Sequence, residues 1–378
     1  MQFSMIFEAQ TADPSRKGEQ RVLRESVEQA VLAEQMGFDR VWAVEHHCLK
    51  WYAHMSAPET FLAYVAGKTS RIRIGHGVVC LPFRMNHPVK VAERIAMLDI
   101  LSNGRVDFGV GKGGTQQEAG AFQTQLADIG PQLEASARMI PKMWRDEEFE
   151  LHSELIDLPR RPIHPKPLQE PHPPMYLACT REATLNQAGE WGLGALCLGF
   201  AGPEDIAKKN GIYRAALKRK TPQSQVGDRP LEHLSALCPA VVLGDRAEAK
   251  RVGHRGQRYF AEAINHWYDP TGQAPPPRTI VDGDDADVLM RAGEALVAHL
   301  HEEKIEVGTE ATGLFNPNNA YGDVADAIEY VEKLIAAGAD EVMFLLQMGT
   351  MPQAAIVESI ENLGKHVIPR FRDARSTR

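Results

Sequence analysis

The sequence predicts an α/β protein built as a (β/α)8 barrel with insertions. Three observations predict it. An amphipathic stretch, a glycine and a buried apolar run follow one another around Gly37, Gly192 and Gly338, near both ends and the middle of the 378-residue chain. Eight strand-like runs, starting near residues 2, 38, 72, 105, 174, 193, 236 and 340, alternate almost throughout with helical patterns. Such alternation describes βα units of one parallel system, and eight of them over this length favour closure into a barrel. No GxGxxG follows the first run, which speaks against a dinucleotide-binding open sheet.

In order along the chain, residues 2–7 read as a short buried strand, and the polar TADPSRKGEQ as a loop. Residues 22–36 carry Leu23, Val27, Ala30 and Val31 on one helical face. Gly37 ends that helix in the usual position just beyond its last turn. The strand FDRVWAVEHH, residues 38–47, follows at once. Residues 57–69 predict a helix, 72–81 a strand, and 87–101 a helix with Pro88 in its first turn, where a missing N–H costs nothing. A strand over 105–110 and a long helix within 123–144 come next. Residues 148–158 alternate like a hairpin, inside an insertion spanning about 145–172.

Strands at 174–178 and 236–243 and helices at 182–190, 203–217 and 247–266 continue the alternation. The proline- and acid-rich 268–287 is too long for an ordinary connection and predicts a lid-like loop. The helix over 323–337 has Asp323 as its cap and buries Val324, Ile328, Val331 and Ile335. The last, over 354–367, buries Ile356, Ile360, Leu363 and Val367. The whole is expected to be one barrel domain.

Apolar residues make up 43% of the chain, enough for a sizeable core, and the net charge is −8 with both signs interspersed. That balance argues against nucleic acid or an anionic membrane as the main partner. Five widely spaced cysteines show no metal-ligand spacing and suggest no disulfide framework, so a reducing compartment is expected. MQFSMIFEAQ has no basic segment ahead of its apolar residues and does not read as a signal peptide. No apolar run reaches the ~18 residues of a membrane span. A cytoplasmic protein is expected.

Four stretches carry candidate chemistry. Glu45, His46 and His47 follow a buried strand to its C-terminal end, the face on which barrels place catalytic groups. Histidine titrates near neutrality and suits proton transfer. The plainer reading is a pair of half-exposed, hydrogen-bonded histidines. In GRVDFGVGKGG a strand runs into Gly109, Gly111, Gly113 and Gly114 with Lys112 among them, a pattern that suits an anion. It also suits a plain turn. Thr180, Arg181 and Thr184 open a helix after the strand at 174–178, so hydroxyls, a guanidinium and free N–H groups converge there. A simple cap by Thr180 explains the same residues. Gly75 and Gly77 interrupt a β-branched strand, which suggests a close approach to its backbone. His76 between them reads better as a core histidine, and Cys48 and Cys80 as packing residues. No cluster has the spacing of a metal site.

GFDRVWAVEHH, the strand IGHGVVCLP followed by NHPVKVAERIAMLDILSNGRVDFGVGKG, and the final GADEVMFLLQ together resemble the bacterial luciferase-like flavin monooxygenases. The resemblance covers roughly residues 1–200 and 320–370. It implies a barrel that binds reduced FMN delivered by a separate NAD(P)H flavin reductase. The flavin would react with O2 to a C4a-(hydro)peroxyflavin that oxygenates an organic substrate. It implies His46 as the catalytic histidine, and Glu45 next to it in sequence is expected to orient the imidazole. It places Gly77 and Val78 at a non-prolyl cis peptide beneath the flavin ring, and gives Lys112, Thr180, Arg181 and Thr184 to the FMN phosphate. An apolar pocket walled by Phe7, Trp42, Trp51, Tyr52, Phe83 and Met348 is expected, and a homodimer. Gly111 stands where luciferase has a reactive cysteine, and Trp51, Tyr52 and His54 are not luciferase-like. Light emission is therefore not expected. Two other readings remain open at this stage: a deazaflavin-dependent oxidoreductase on the same barrel, and a non-catalytic flavin-binding protein.

Overall fold

A computed structural model describes residues 1–269, 271–281, 284–304 and 312–373. Eight parallel strands form a closed barrel: β1 (Gln2–Phe7), β2 (Arg40–Ala43), β3 (Arg73–Cys80), β4 (Val106–Gly111), β7 (Met175–Cys179), β8 (Gly194–Cys197), β9 (Leu234–Val242) and β11 (Glu341–Leu345). Each pairs with the next, β11 lies between β9 and β1, and the pairing of Ala195 with Leu234 joins β8 to β9 and closes the ring. These are the eight strands expected. A ninth, β10 (Ala320–Gly322), adds to β9 at Ala240–Val242. β5 (Phe149–His152) and β6 (Asp157–Arg161) form the antiparallel hairpin expected within the insertion.

The helices depart from expectation at their ends. Helix Arg16–Gln35 begins inside the stretch read as a loop, because the Ser15 hydroxyl accepts the Gly18 N–H at 3.2 Å and caps it. The long helix expected within 123–144 is Leu126–Arg145, and a short one that was not expected, Gln116–Ala121, capped by Thr115, precedes it. Helix Ala286–Glu302 was not expected. Asp285 caps it, just past the proline-rich run that masked its pattern. Of the four residues read as the buried face of Val324–Ala336 only Val331 is buried; Val324, Ile328 and Ile335 are half-buried against the core, and Ala327, Tyr330 and Leu334 complete the buried face. No helix among the described residues is long and apolar enough to cross a membrane.

The N-terminal half of the barrel interior is filled by charge. Arg40 donates to Asp107 at 2.6 Å, to Glu341 at 2.5 Å and to the Tyr176 hydroxyl at 3.2 Å. Arg73 takes the same Asp107, and Glu341 also accepts from Ser235 and from the Trp42 indole N–H. Burial opposes ionisation of Glu341, but Arg40 and His233 outweigh it and hold its carboxyl well below the usual carboxylate range. Above this layer the Trp42 indole crosses the lumen, edge-on to Tyr176 with ring centroids 5.0 Å apart. A Cβ at Gly75 would stand 2.2 Å from the Trp42 ring, so only glycine lets the indole lie against β3. Higher still, Gly109 and Gly111 of β4 carry no side chain: a Cβ there would stand 2.2 Å from His76 O or 2.4 Å from Val78 Cγ2 of β3.

Candidate active site

β2 delivers the central groups. Adjacent residues of an extended chain point to opposite faces. Arg40 and Trp42 point into the lumen, and His46 continues that face, whereas Glu45 belongs to the other. Glu45 accordingly does not orient His46, contrary to the expectation from sequence. Its carboxylate instead accepts from His47 Nε2 at 3.0 Å, the Cys80 N–H at 2.8 Å and the Asn86 amide at 2.7 Å, and so ties the end of β2 to the end of β3.

The partner of His46 is Glu118, from the short helix after β4. Its Oε1 lies 3.0 Å from His46 Nδ1 and accepts the His47 N–H at the same distance. Its Oε2 accepts from the Thr115 N–H and hydroxyl, while its own N–H returns a bond to Thr115. Burial opposes charge on Glu118, but the bonds from His46, His47 and Thr115 prevail and pull its carboxyl down to about 2. An ionised carboxylate only accepts, so His46 Nδ1 carries a proton and Nε2 is the nitrogen left for chemistry. Burial disfavours the imidazolium, yet Glu118, Glu8 and Glu45 together raise the pKa of His46.

Glu8 is the third member. It lies one step past β1 and continues the inward alternation of Ser4 and Ile6. It is 4% exposed, and its Oε2 has no hydrogen-bond partner among the described residues. Burial pushes its carboxyl up to about 7, with Glu118 adding to the effect and His46 opposing it.

Beside these groups lies a shallow floor. The peptide between Gly77 and Val78 is cis, and the β3–β4 register shifts there. Val78 and Ala178 are only half-buried although each belongs to a barrel strand. A Cβ at Gly111 would come within 2.4 Å of Val78 Cγ2, so glycine keeps that floor flat. Lys112, Thr180 and Arg181 are exposed at its rim. Thr184 is not free for a ligand: its hydroxyl donates to Arg181 O at 2.8 Å and accepts the Arg181 N–H, fastening the start of its own helix.

The far wall is aromatic. His46 lies 4.9 Å from the Tyr52 ring, which meets Phe260 edge-on at 5.6 Å and Tyr268 at 6.5 Å. Trp51 packs on His266 and Trp267, and both, like Tyr268, come from the C-terminal part of helix Arg246–Tyr268. Tyr268 reaches across to Gly114, where its hydroxyl would stand 1.9 Å from an added Cβ.

Of the six residues expected to wall a pocket, Trp51 and Tyr52 take part. Phe7 does not, because odd positions of β1 face outward, and its ring packs 5.5 Å from Phe61 of helix Pro58–Ala66. Trp42 fills the lumen below the site. Met348 is fully buried against Gly256. Phe83 is held through its N–H by Gln132, and no ring contact joins it to the wall among the described residues. Only the start of the expected lid, at Tyr268, reaches the site. Most of the rest is fastened along the helices by Arg258–Asp284, Arg278–Glu262 and His299–Asp269, and residues 270, 282 and 283 lie outside the described residues.

A model of the luciferase-like monooxygenase family matches residues 1–341. The chain belongs to the luciferase-like monooxygenase family. It is thus an oxidoreductase of the oxygen-incorporating kind, related to flavin-dependent enzymes. The chain is 24% identical over 384 residues to the oxygenase component of the flavin-dependent trigonelline monooxygenase of Acinetobacter baylyi, a match covering 100% of this chain and 98% of that one. It is 32% identical over 187 residues to an F420-dependent glucose-6-phosphate dehydrogenase of Amycolatopsis mediterranei, covering 48% and 55% of the two. The oxygenating constituent of 3,6-diketocamphane monooxygenase from Pseudomonas putida, solved with FMN, superimposes with a TM-score of 0.73 at 19% identity, over 98% of each chain.

Two groups of this luciferase-like monooxygenase escaped the sequence reading although their signals were present. Thr115-Gln116-Gln117-Glu118 is a capping-box pattern directly after the glycine-rich stretch. Glu8 is a carboxylate set immediately after a buried apolar strand, at the same barrel end as His46.

Proposed function

We propose that this protein is the oxygenase component of a two-component monooxygenase that uses reduced FMN and O2 to oxygenate an apolar organic substrate. The observation that carries the reading is the His46–Glu118 pair at the barrel mouth, facing the flat floor of Val78, Gly111 and Ala178. That floor suits a planar ring system, since glycine at 111 leaves room for the Val78 side chain to lie against β4. Lys112 and Arg181 at the rim, with Thr180 and the first N–H groups of helix Glu182–Trp191, are suited to a phosphate. When bound, the reduced flavin supplies electrons and activates O2.

The chain's own residues do the rest. Glu118 holds His46 in one tautomer and favours its imidazolium, so that Nε2 delivers or receives a proton near neutrality. Trp51, Tyr52 and Tyr268, with Phe260 packed edge-on to Tyr52, offer the apolar surface for the substrate and keep water from the reacting centre. A separate NAD(P)H flavin reductase, a homodimeric assembly and a cytoplasmic location belong to the same reading. All five cysteines are free in the structure, which is compatible with a reducing compartment.

The test is a reaction of the protein with FMN, a flavin reductase, NADH and 18O2 over a panel of apolar substrates. One labelled oxygen atom per product molecule is expected. A second reading, a deazaflavin-dependent oxidoreductase, draws on the 32% identity to the F420-dependent relative. Tight binding of the deazaflavin with no affinity for reduced FMN would replace the first reading with the second. A non-catalytic flavin-binding role is disfavoured by the fully hydrogen-bonded His46–Glu118 pair, and stopped-flow mixing with reduced FMN and O2 separates it.

A further inference from the structure

Among the described residues, Glu8 is the one carboxyl at the barrel mouth with a buried oxygen that no hydrogen bond reaches. Glu45 and Glu118 each accept several hydrogen bonds, whereas Glu8 Oε2 is buried with no partner among the described residues. The groups that face it come from every element around it. His46 and Glu118 act on it from β2 and from the helix after β4, and Glu8 in turn acts on Tyr52 and Tyr268. Both phenols are held neutral, their pKa values raised first by burial. The N–H of His54 is taken by the backbone carbonyl of Glu8, not by its side chain. A carboxylate so placed would face the anion of Glu118 with only His46 to offset it. A carboxylic acid there is neutral and presents an O–H whose acceptor the protein does not supply. An unmatched buried donor in a site that binds a ligand is a group waiting for that ligand.

We propose that Glu8 is a further catalytic acid of this site, which rests protonated and delivers its proton to an oxygen atom of the reacting organic substrate. The proposal rests on the monooxygenase reading for the reaction in which the proton is used. In the step, the O–H bond of Glu8 breaks and a new O–H bond forms on the anionic oxygen left on the substrate. The carboxylate then takes a proton from His46 Nε2, and His46, whose side chain is 15% exposed, recovers one from water. Charge and protons balance, and no further reactant is needed. This division assigns the donor to Glu8, the solvent link to His46 and the fixed negative charge to Glu118. It also selects substrates whose reaction develops negative charge on oxygen, as attack on a carbonyl carbon does.

Two measurements test it. The first is the infrared difference between wild type and the near-isosteric Glu8→Gln, on protein alone. A protonated-carboxyl C=O band should be lost in the variant at pH 6, and in wild type it should fade as pH passes through about 7. A difference spectrum showing only a carboxylate at pH 6 overturns the proposal. The second is turnover. Glu8→Gln should bind flavin within twofold of wild type yet turn over about 100-fold or more slowly, without the alkaline limb that follows loss of the Glu8 proton. Glu8→Asp should restore part of the rate. Wild-type turnover by Glu8→Gln across the pH range overturns the assignment. If wild type oxygenates nothing, the monooxygenase reading fails, and the infrared band still decides where the proton is.

Discussion

At the N-terminal end of the barrel, Asp107 and Glu341 are fully buried and each touches the guanidinium of Arg40. At the C-terminal end Glu8 is nearly as buried, and its Oε2 has no hydrogen-bond partner among the described residues. The same residue chemistry therefore takes opposite forms within one lumen. Below, every charge is matched, and the carboxylate of Glu341 is held ionised. Above, the carboxyl is unmatched and is driven toward its neutral form. The lower layer has no room for a ligand, because Arg40, Trp42 and Tyr176 fill it. In the upper layer Gly109 and Gly111 carry no side chain, and Val78 and Ala178 stay only half-buried. Burial with a partner locks the fold, and burial without one stores a proton for use.

The largest effect should come from breaking the matched end. Arg40→Met leaves Glu341 and Asp107 buried without their shared cation, and removing one member of a buried pair costs roughly 3–5 kcal/mol. Urea unfolding measures it. A loss under about 1 kcal/mol would mean that the layer behaves like a solvated surface network.

Next is the mouth. His46→Ala should reduce turnover by about 100- to 10,000-fold, the usual worth of general acid–base help. Flavin affinity should hold, since the rim groups lie elsewhere. Glu118→Gln should lower the pH at which the His46 imidazolium loses its proton, read by NMR of the ring. The sign follows from the removed charge, which favours the imidazolium. An unchanged titration would show that Glu118 does not govern His46.

Glu8 gives a smaller and oppositely signed stability effect. Its folded pKa, about 7, lies above its ordinary value of 4.5. Between those two pH values the unfolded chain has released the proton and the folded chain still holds it, so wild-type stability falls as pH rises. Glu8→Gln lacks that penalty. Relative to wild type it should gain stability from pH 4.5 to 7 and no more above, by about 3 kcal/mol at most. Thermal unfolding of both proteins at pH 5 and pH 8 checks it. A constant offset would place Glu8 among ordinary carboxylates.

The barrel was legible because its signal is periodic and repeated. Helix, glycine and strand recur around Gly37, Gly192 and Gly338, and all eight strands begin within two residues of where they were read. His46 was legible because it ends such a strand. Its partner was not, because Glu118 is 72 residues away and joins His46 only once β2, β3 and β4 pair side by side. Alternation along β2 already excluded Glu45 as that partner, and alternation along β1 already turned Phe7 outward and Glu8 inward. The aromatic wall drew on Trp267 and Tyr268, at the end of a helix far from β2 in sequence, and only folding brings them to Trp51 and Tyr52.

The smallest effect belongs to the rim. Lys112 is exposed beside Gly111 and Gly113, and its ammonium has no ion-pair partner among the described residues. Solvent screens such a charge, so its contact with a phosphate is weaker than a buried pair. Lys112→Ala should weaken binding of reduced FMN by about 1–2 kcal/mol, roughly five- to thirtyfold in Kd, as befits one charge-assisted hydrogen bond. The loss should shrink as salt is raised, and turnover at saturating flavin should match wild type. Anaerobic titration at two ionic strengths measures it. An affinity unchanged at low salt would move the phosphate away from β4, toward Thr180, Arg181 and the helix they open.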